Sequence, residues 1–304
     1  MPPQKAPDHG PADAKSYKPI CPQNSGNKTG AFWELMPEFQ NRDPESEDCL
    51  YLNIWGPRKP APVPGVTITT AVAKRPLVPV IIWVCGGAFR EGGGHAPYQV
   101  PDSWIQRTQT HIVVAFNARL NIFGFPGAGP NSTAKYNAGL MDVRLAVEWL
   151  RDNIAQFGGD PERMVLYGQS AGSGTVWSYT YAYPDDVIVT GLIAVSAGPP
   201  VINPDGNEAF HEIARGLCGN MTSAEGEVQC MQKVDWKEIK RIVDDGGYRF
   251  GPIADGVTLF GNLTERLEKG LVAKVVSTLF ATFPLLPVLN SKDFLPSEVA
   301  CNGH

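Results

Sequence analysis

The chain lacks what would place it in several large classes of protein. No apolar run is long enough to cross a bilayer as a helix: the longest, Val275 to Leu289, is short and broken by Pro284 and Pro287. No basic run stands out and the net charge is −5, so a nucleic acid is not an expected partner. The start, Met1-Pro2-Pro3-Gln4-Lys5, is followed by no apolar stretch of the kind a signal peptide needs. There is no internal repeat, no metal-ligand cluster and no phosphate-binding loop, so no cofactor is expected. Histidine is scarce, with only His9, His95, His111, His211 and His304. What is present, 304 residues of which 43% are hydrophobic and 19% charged, suits a soluble globular protein with a sizeable core.

The most telling segment is Gly168-Gln169-Ser170-Ala171-Gly172. It has the form of a nucleophile elbow, in which a strand turns sharply into a helix and holds a serine hydroxyl out at the turn. Its glycines spare the turn a Cβ clash. The apolar run Met164-Val165-Leu166-Tyr167 supplies a strand before it, and a helix opens within Ser173 to Tyr181. In a chain with 32 glycines the pentapeptide alone is a weak signal. It gains weight from Ile81-Ile82-Trp83-Val84-Cys85-Gly86-Gly87-Ala88-Phe89, an apolar strand running into a glycine-rich loop. Acyl transfer passes through a tetrahedral oxyanion that needs fixed backbone N–H donors, and small residues let the backbone approach. Ala171, Gly87 and Ala88 are the candidate donors and Ser170 the candidate nucleophile. The alternative for the pair is a glycine-rich turn joining a strand to a surface loop.

With both motifs in place, the chain resembles the type-B carboxylesterase and lipase family, which includes cholinesterases and secreted fungal lipases. Ser46-Glu47-Asp48-Cys49-Leu50-Tyr51-Leu52-Asn53-Ile54, Phe116 to Phe125, Asn137 to Asp142, Trp149 to Ile154 and Phe157-Gly158-Gly159-Asp160-Pro161 carry the resemblance further, over roughly residues 17 to 274. Gln169 departs from the glutamate many members carry before the nucleophile, and Ala88 from a third glycine. The resemblance implies an α/β-hydrolase fold: a mostly parallel central sheet with helices on both faces, here incomplete at both ends. It implies a serine esterase or lipase acting on a small-molecule or lipid ester through an acyl-enzyme. The competing readings are a non-catalytic, cholinesterase-like binding module, against which retention of Ser170 argues, and an inactive fragment that lacks the catalytic acid and histidine. Oligomeric state is not legible.

The resemblance also pairs Cys21 with Cys49 and Cys218 with Cys230. Cys85 reads as a buried free thiol, and Cys301 has no evident partner. Six reduced cytosolic thiols are the alternative. Four sequons, at Asn27, Asn131, Asn220 and Asn262, fit a secreted glycoprotein. Along the chain we expect a short helix near Ala31 to Leu35, strands at Cys49 to Trp55, Leu77 to Cys85, His111 to Asn117 and Thr190 to Ser196, and a surface loop or hairpin from Gly56 to Lys74. Helices are expected at Leu140 to Phe157, with Leu145, Val147, Trp149, Leu150 and Ile154 inward, and at Glu208 to Leu217 and Trp236 to Val243. Asp255 to Phe260 resembles a family strand that precedes a short helix, Asn262 to Glu268.

A serine hydroxyl needs a base and the base an orienting acid, here in the order Ser, acid, His. No residue is assigned to either role. Glu298 is the only glutamate in the tail and sits in the wrong local context, and His95, just past the glycine-rich loop, is either a loop residue or a base that reaches the pocket. The resemblance divides the chain into a partial hydrolase domain, 1–274, and a divergent tail, 275–304. The expectation is a truncated member whose sequence switches abruptly near Val275, as a retained intron would cause. The missing strands would leave an exposed parallel sheet edge. Phe89, Trp177 and Tyr179 are either pocket-lining or core.

Overall fold

The computed structural model describes residues 3–4, 14–24, 34–39, 43–58, 76–129, 131–134, 136–196, 198–200, 206–275 and 277–281. Six strands form one sheet: β1 (Leu52–Trp55), β2 (Val78–Val84), β3 (Ile112–Phe116), β4 (Gly159–Gln169), β5 (Gly191–Val195) and β6 (Ser277–Ala281). Their order is β1-β3-β2-β4-β5-β6. β1 runs antiparallel to β3, and every other neighbour pair is parallel. Eight α-helices are found among the described residues: α1 (Asp102–Thr108), α2 (Asn121–Gly124), α3 (Ala138–Asn153), α4 (Ala171–Ala182), α5 (Gly206–Cys218), α6 (Ala224–Met231), α7 (Trp236–Asp245) and α8 (Leu263–Glu268). Strands alternating with crossover helices give a mostly parallel sheet, the α/β arrangement expected.

Apolar β-branched runs make the strands, and the period-2 pleat decides what each residue meets. Along β2 and β4, Val80, Ile82, Val84, Met164 and Leu166 are buried. They share one core with Val143, Val147 and Leu150 of α3 and Val176 and Tyr179 of α4. Ile81, Trp83, Val165 and Tyr167 point to the other face and are half-buried. Trp83 meets Tyr167 edge-on at 4.7 Å between ring centroids. A second cluster joins Phe125 and Leu140 to α5, α6 and α7 through Phe210, Ile213, Val228, Met231, Ile239 and Val243.

Several expectations shift. The buried stripe of α3 is Leu140, Val143, Val147 and Leu150, continued by Ile154; Leu145 and Trp149 are only half-buried. A 3-10 turn, Ile154–Phe157, prolongs the helix, and Gly158 ends it at φ 88°. Asp255 to Phe260 is not a strand. The Asp255 carboxylate accepts from the N–H groups of Val257, Thr258 and Leu259, which curls the segment into a loop. α1 and α6 carried no expectation, and β4 extends well beyond the short run read in the sequence. β6 also lies beyond the boundary drawn at 274. It pairs in register with β5 and is an edge of the sheet among the described residues. Of the helix expected near Ala31 to Leu35, Glu34 and Leu35 are described and are helical; residues 31–33 and 59–75, with Asn27, His9, Glu298, Cys301 and His304, lie outside the described residues.

Candidate active site

β2 and β4 are adjacent and parallel, with Val84 opposite Gly168, so both chains leave the sheet at the same place. In a parallel sheet that end is where ligands bind. β4 passes through Ser170 directly into α4. Ser170 has φ 56° and ψ −122°, a conformation that costs a non-glycine residue about 1–3 kcal/mol. Its N–H donates to the Val195 carbonyl at 2.9 Å, and its own carbonyl accepts from Gly174 at 3.0 Å.

The flanking glycines are required by crowding rather than by dihedral angle. A Cβ on Gly168 would lie 2.2 Å from the Gly172 carbonyl oxygen, and one on Gly172 would lie 2.2 Å from the Val84 carbonyl oxygen. A Cβ on Gly86 would stand 3.1 Å from Cβ of Ser170. The elbow therefore presses on β2 beside it in the sheet and on the loop that leaves β2.

Beyond Gly86 the backbone is left-handed at three successive residues: Gly87 (φ 121°), Ala88 (φ 55°) and Phe89 (φ 58°). The Gly87 carbonyl accepts from Arg90 at 2.9 Å and from Glu91 at 3.1 Å, closing the loop on itself. Among the described residues, the N–H groups of Gly87 and Ala88 donate to no backbone carbonyl. Phe89 packs edge-on against Phe125, with centroids 5.3 Å apart.

Buried amides and one ion pair brace the surroundings. Asp142, with a side chain 1% exposed, accepts from the Arg119 backbone N–H at 2.9 Å and from its guanidinium at 2.6 Å. The Asn117 side chain accepts from Gly94 and donates to the carbonyls of Pro19 and Cys49. Gln23 and Asn24 reach the loop from the N-terminal segment. Sequence reasoning missed these last two. Their only sequence signal is a pair of amides directly after Cys21-Pro22.

A cleft beside the loop is lined by Val84, Gly86, Phe89, Arg119, Ala171 and Thr175 among others. Trp177 lines a second, apolar crevice with Tyr181, Pro199, Pro200, Phe260 and Leu263. Tyr179 is core: it is buried, its hydroxyl donates to the Val187 carbonyl at 2.7 Å, and burial raises its pKa. Burial also pushes the Cys85 thiol up to about 11, and Cys85 is unpaired.

The described histidines are engaged elsewhere. His95 is buried, 3.0 Å from Asp43 and stacked on Tyr17 at 4.5 Å. His111 opens β3 at the opposite end of the sheet, against Trp104, and burial lowers its pKa. His211 pairs with the buried Glu227 between α5 and α6. Among the described residues the Ser170 hydroxyl makes no hydrogen bond to a histidine. Cys21–Cys49 and Cys218–Cys230 are disulfides. Asn131, Asn220 and Asn262 are exposed, and Asn262 also caps α8 by accepting from Glu265 N–H at 3.0 Å.

A mostly parallel α/β sheet with a serine at a strained strand-to-helix elbow defines an α/β-hydrolase. The carboxylesterase family matches residues 1–284, and the chain belongs to that family. It is 38% identical over 280 residues to a chlorogenic acid esterase of Aspergillus niger, covering 90% of this chain and 52% of that protein. It is 38% identical over 240 residues to secreted lipase 5 of Gibberella zeae, covering 73% of this chain and 44% of that protein. It is 36% identical over 189 residues to an acetylcholinesterase of Bungarus fasciatus, covering 62% and 28% respectively. The chain thus spans about half the length, or less, of these curated relatives.

Proposed function

We propose that the chain is a serine carboxylic ester hydrolase. The observation that carries the reading is Ser170 at φ 56° in its elbow, pressed against a loop whose Gly87, Ala88 and Phe89 are all left-handed. A strained conformation persists only where its surroundings enforce it, and such strain collects at functional sites. Ser170 Oγ attacks the ester carbonyl while a general base, a role that none of the described histidines fills, takes its proton and passes it on to the departing alcohol oxygen. The carbonyl oxygen becomes an oxyanion, and the N–H groups of Gly87, Ala88 and Ala171 stabilise it. Collapse expels the alcohol and leaves an acyl-enzyme, which water hydrolyses.

Membership of the carboxylesterase family and the likeness to an esterase and a lipase support a small-molecule or lipid ester as the substrate. Two disulfides, exposed sequons at Asn131, Asn220 and Asn262, and a relative named as a secreted lipase support an extracellular setting. The test is hydrolysis of a short p-nitrophenyl ester by the chain beside its Ser170→Ala variant. Activity lost in the variant supports the reading. Equal rates from two folded samples, with no fluorophosphonate labelling of Ser170, reject it and favour a non-catalytic binding role.

A further inference from the structure

The glycine-rich loop is held from outside by a segment that the ester-hydrolase reading leaves without a role. Ile20 to Asn24 runs buried across it, anchored at Cys21 by the disulfide to Cys49. The Gln23 carboxamide spans the backbone of Gly92, accepting from its N–H at 2.6 Å and donating to its carbonyl at 2.9 Å. Its Nε2 also donates to the Cys21 carbonyl at 2.8 Å. The next residue, Asn24, donates its N–H to the Arg90 carbonyl at 2.7 Å. On the far side, Asn121 N–H donates to the Phe89 carbonyl at 2.8 Å while its side chain donates to the Pro22 carbonyl at 3.0 Å.

Gly92 is the closing end of the same loop that Gly86 and Gly87 open. A Cβ there would lie 2.6 Å from the Gly86 carbonyl oxygen. Fixing Gly92 therefore fixes Gly86, and with it the run from Gly87 to Phe89. Two non-glycine residues in the left-handed region relax unless they are over-determined. A buried amide that satisfies both backbone groups of one residue is a stiff restraint, because each bond lost leaves a buried polar group unpaired.

We propose that Gln23 is a positioning residue for the oxyanion loop: its clamp on Gly92 holds Gly87 and Ala88 in the conformation that presents their N–H groups. The inference rests on the reading of Ser170 and its loop as an ester-hydrolysing site. Gln23 does not touch substrate. It acts on the transition state through backbone geometry, so its loss lowers kcat and leaves KM nearly unchanged.

The experiment uses the full chain with Gln23→Met, which keeps the volume and removes the bonds, and Gln23→Glu, which keeps only the acceptor. Hydrogen exchange by mass spectrometry follows the peptide spanning 86–92. We expect exchange there to rise at least tenfold in Gln23→Met and less in Gln23→Glu, with α3 and β4 unchanged. Ser170-dependent kcat falls about tenfold with KM within twofold, less than the loss of a whole oxyanion donor. In a sample without turnover, the rate of Ser170 labelling by a fluorophosphonate takes the place of kcat. Unchanged exchange at 86–92 overturns the clamp, and so does exchange raised throughout the chain, which marks a merely structural role. Unchanged kcat in a Ser170-dependent enzyme overturns its catalytic consequence. If Ser170→Ala matches the parent, the ester-hydrolase reading fails instead, and the exchange data still decide the clamp.

Discussion

Gly172 of the elbow helix lies so close to Val84 of β2 that a single added carbon would stand 2.2 Å from the Val84 carbonyl oxygen. The Cys85 carbonyl oxygen would be 2.9 Å away. Both obstacles are backbone, one of them at the end of a central strand, so neither can swing aside. Gly172→Ala should therefore push α4 off the sheet and displace Ser170 from the loop beside it. We expect a loss of about 1–3 kcal/mol in urea unfolding and loss of fluorophosphonate labelling. Gly216→Ala is the control. Gly216 sits in α5 with open space at its Cβ position, and there the change should stabilise by up to about 1 kcal/mol.

Asp142→Ala removes the acceptor that orders Arg119. The carboxylate is 1% exposed and the guanidinium 19%, so the lost partner leaves a mostly buried cation without its main counter-charge. Breaking such a pair costs about 3–5 kcal/mol. The Arg119 carbonyl also sits where a Cβ on Gly124 or Gly139 would lie, at 2.2 Å and 2.5 Å, so disorder at Arg119 spreads to α2 and the start of α3. Chemical denaturation should show the full loss. A drop below about 1 kcal/mol would show that the pair is better screened than its burial indicates.

Features carried by neighbouring residues were legible in the residues themselves; of those made by distant ones, the two disulfides came only through the family resemblance, and the hydrogen bonds that brace the loop did not come at all. The elbow could be read because Gly168, Ser170 and Gly172 act on one another within five residues. α3 was legible from its apolar spacing, although Val143 rather than Leu145 turned inward, since the sheet it meets fixes its rotation. The strand at Asp255 to Phe260 was expected from the family resemblance alone, and the Asp255 carboxylate folds the backbone there onto itself instead. The Gln23 clamp spans 69 residues of sequence, and no local pattern announces it.

Cys85 offers a test by pH. Burial raises its pKa from 9.0 to about 11, so the fold favours the neutral thiol. That preference supports the native state fully below pH 9 and is lost as the pH climbs through about 11. The thiolate is the reactive form, so alkylation of Cys85 by iodoacetamide in the native chain should be negligible at pH 8. It should accelerate only toward pH 11. Peptide mapping of the modified residue gives the answer. Rapid native labelling at pH 8 would show a thiol open to solvent.

The two disulfides should contribute alike to stability and differently to chemistry. Cys218–Cys230 joins α5 to α6 across a separation of 12 residues, within the second hydrophobic cluster. Cys21–Cys49 closes a separation of 28 and anchors the segment that carries Gln23. Replacing either pair by serine should cost about 2–4 kcal/mol by relaxing the constraint on the unfolded chain. Only loss of Cys21–Cys49 should also slow the reaction of Ser170 with a fluorophosphonate, because only that bridge lies on the path from the N-terminal segment to Gly92. The comparison is made under conditions where both variants remain folded by circular dichroism. Equal labelling rates would separate the disulfide from the loop and leave its hydrogen bonds, those of Gln23 among them, as the restraint there.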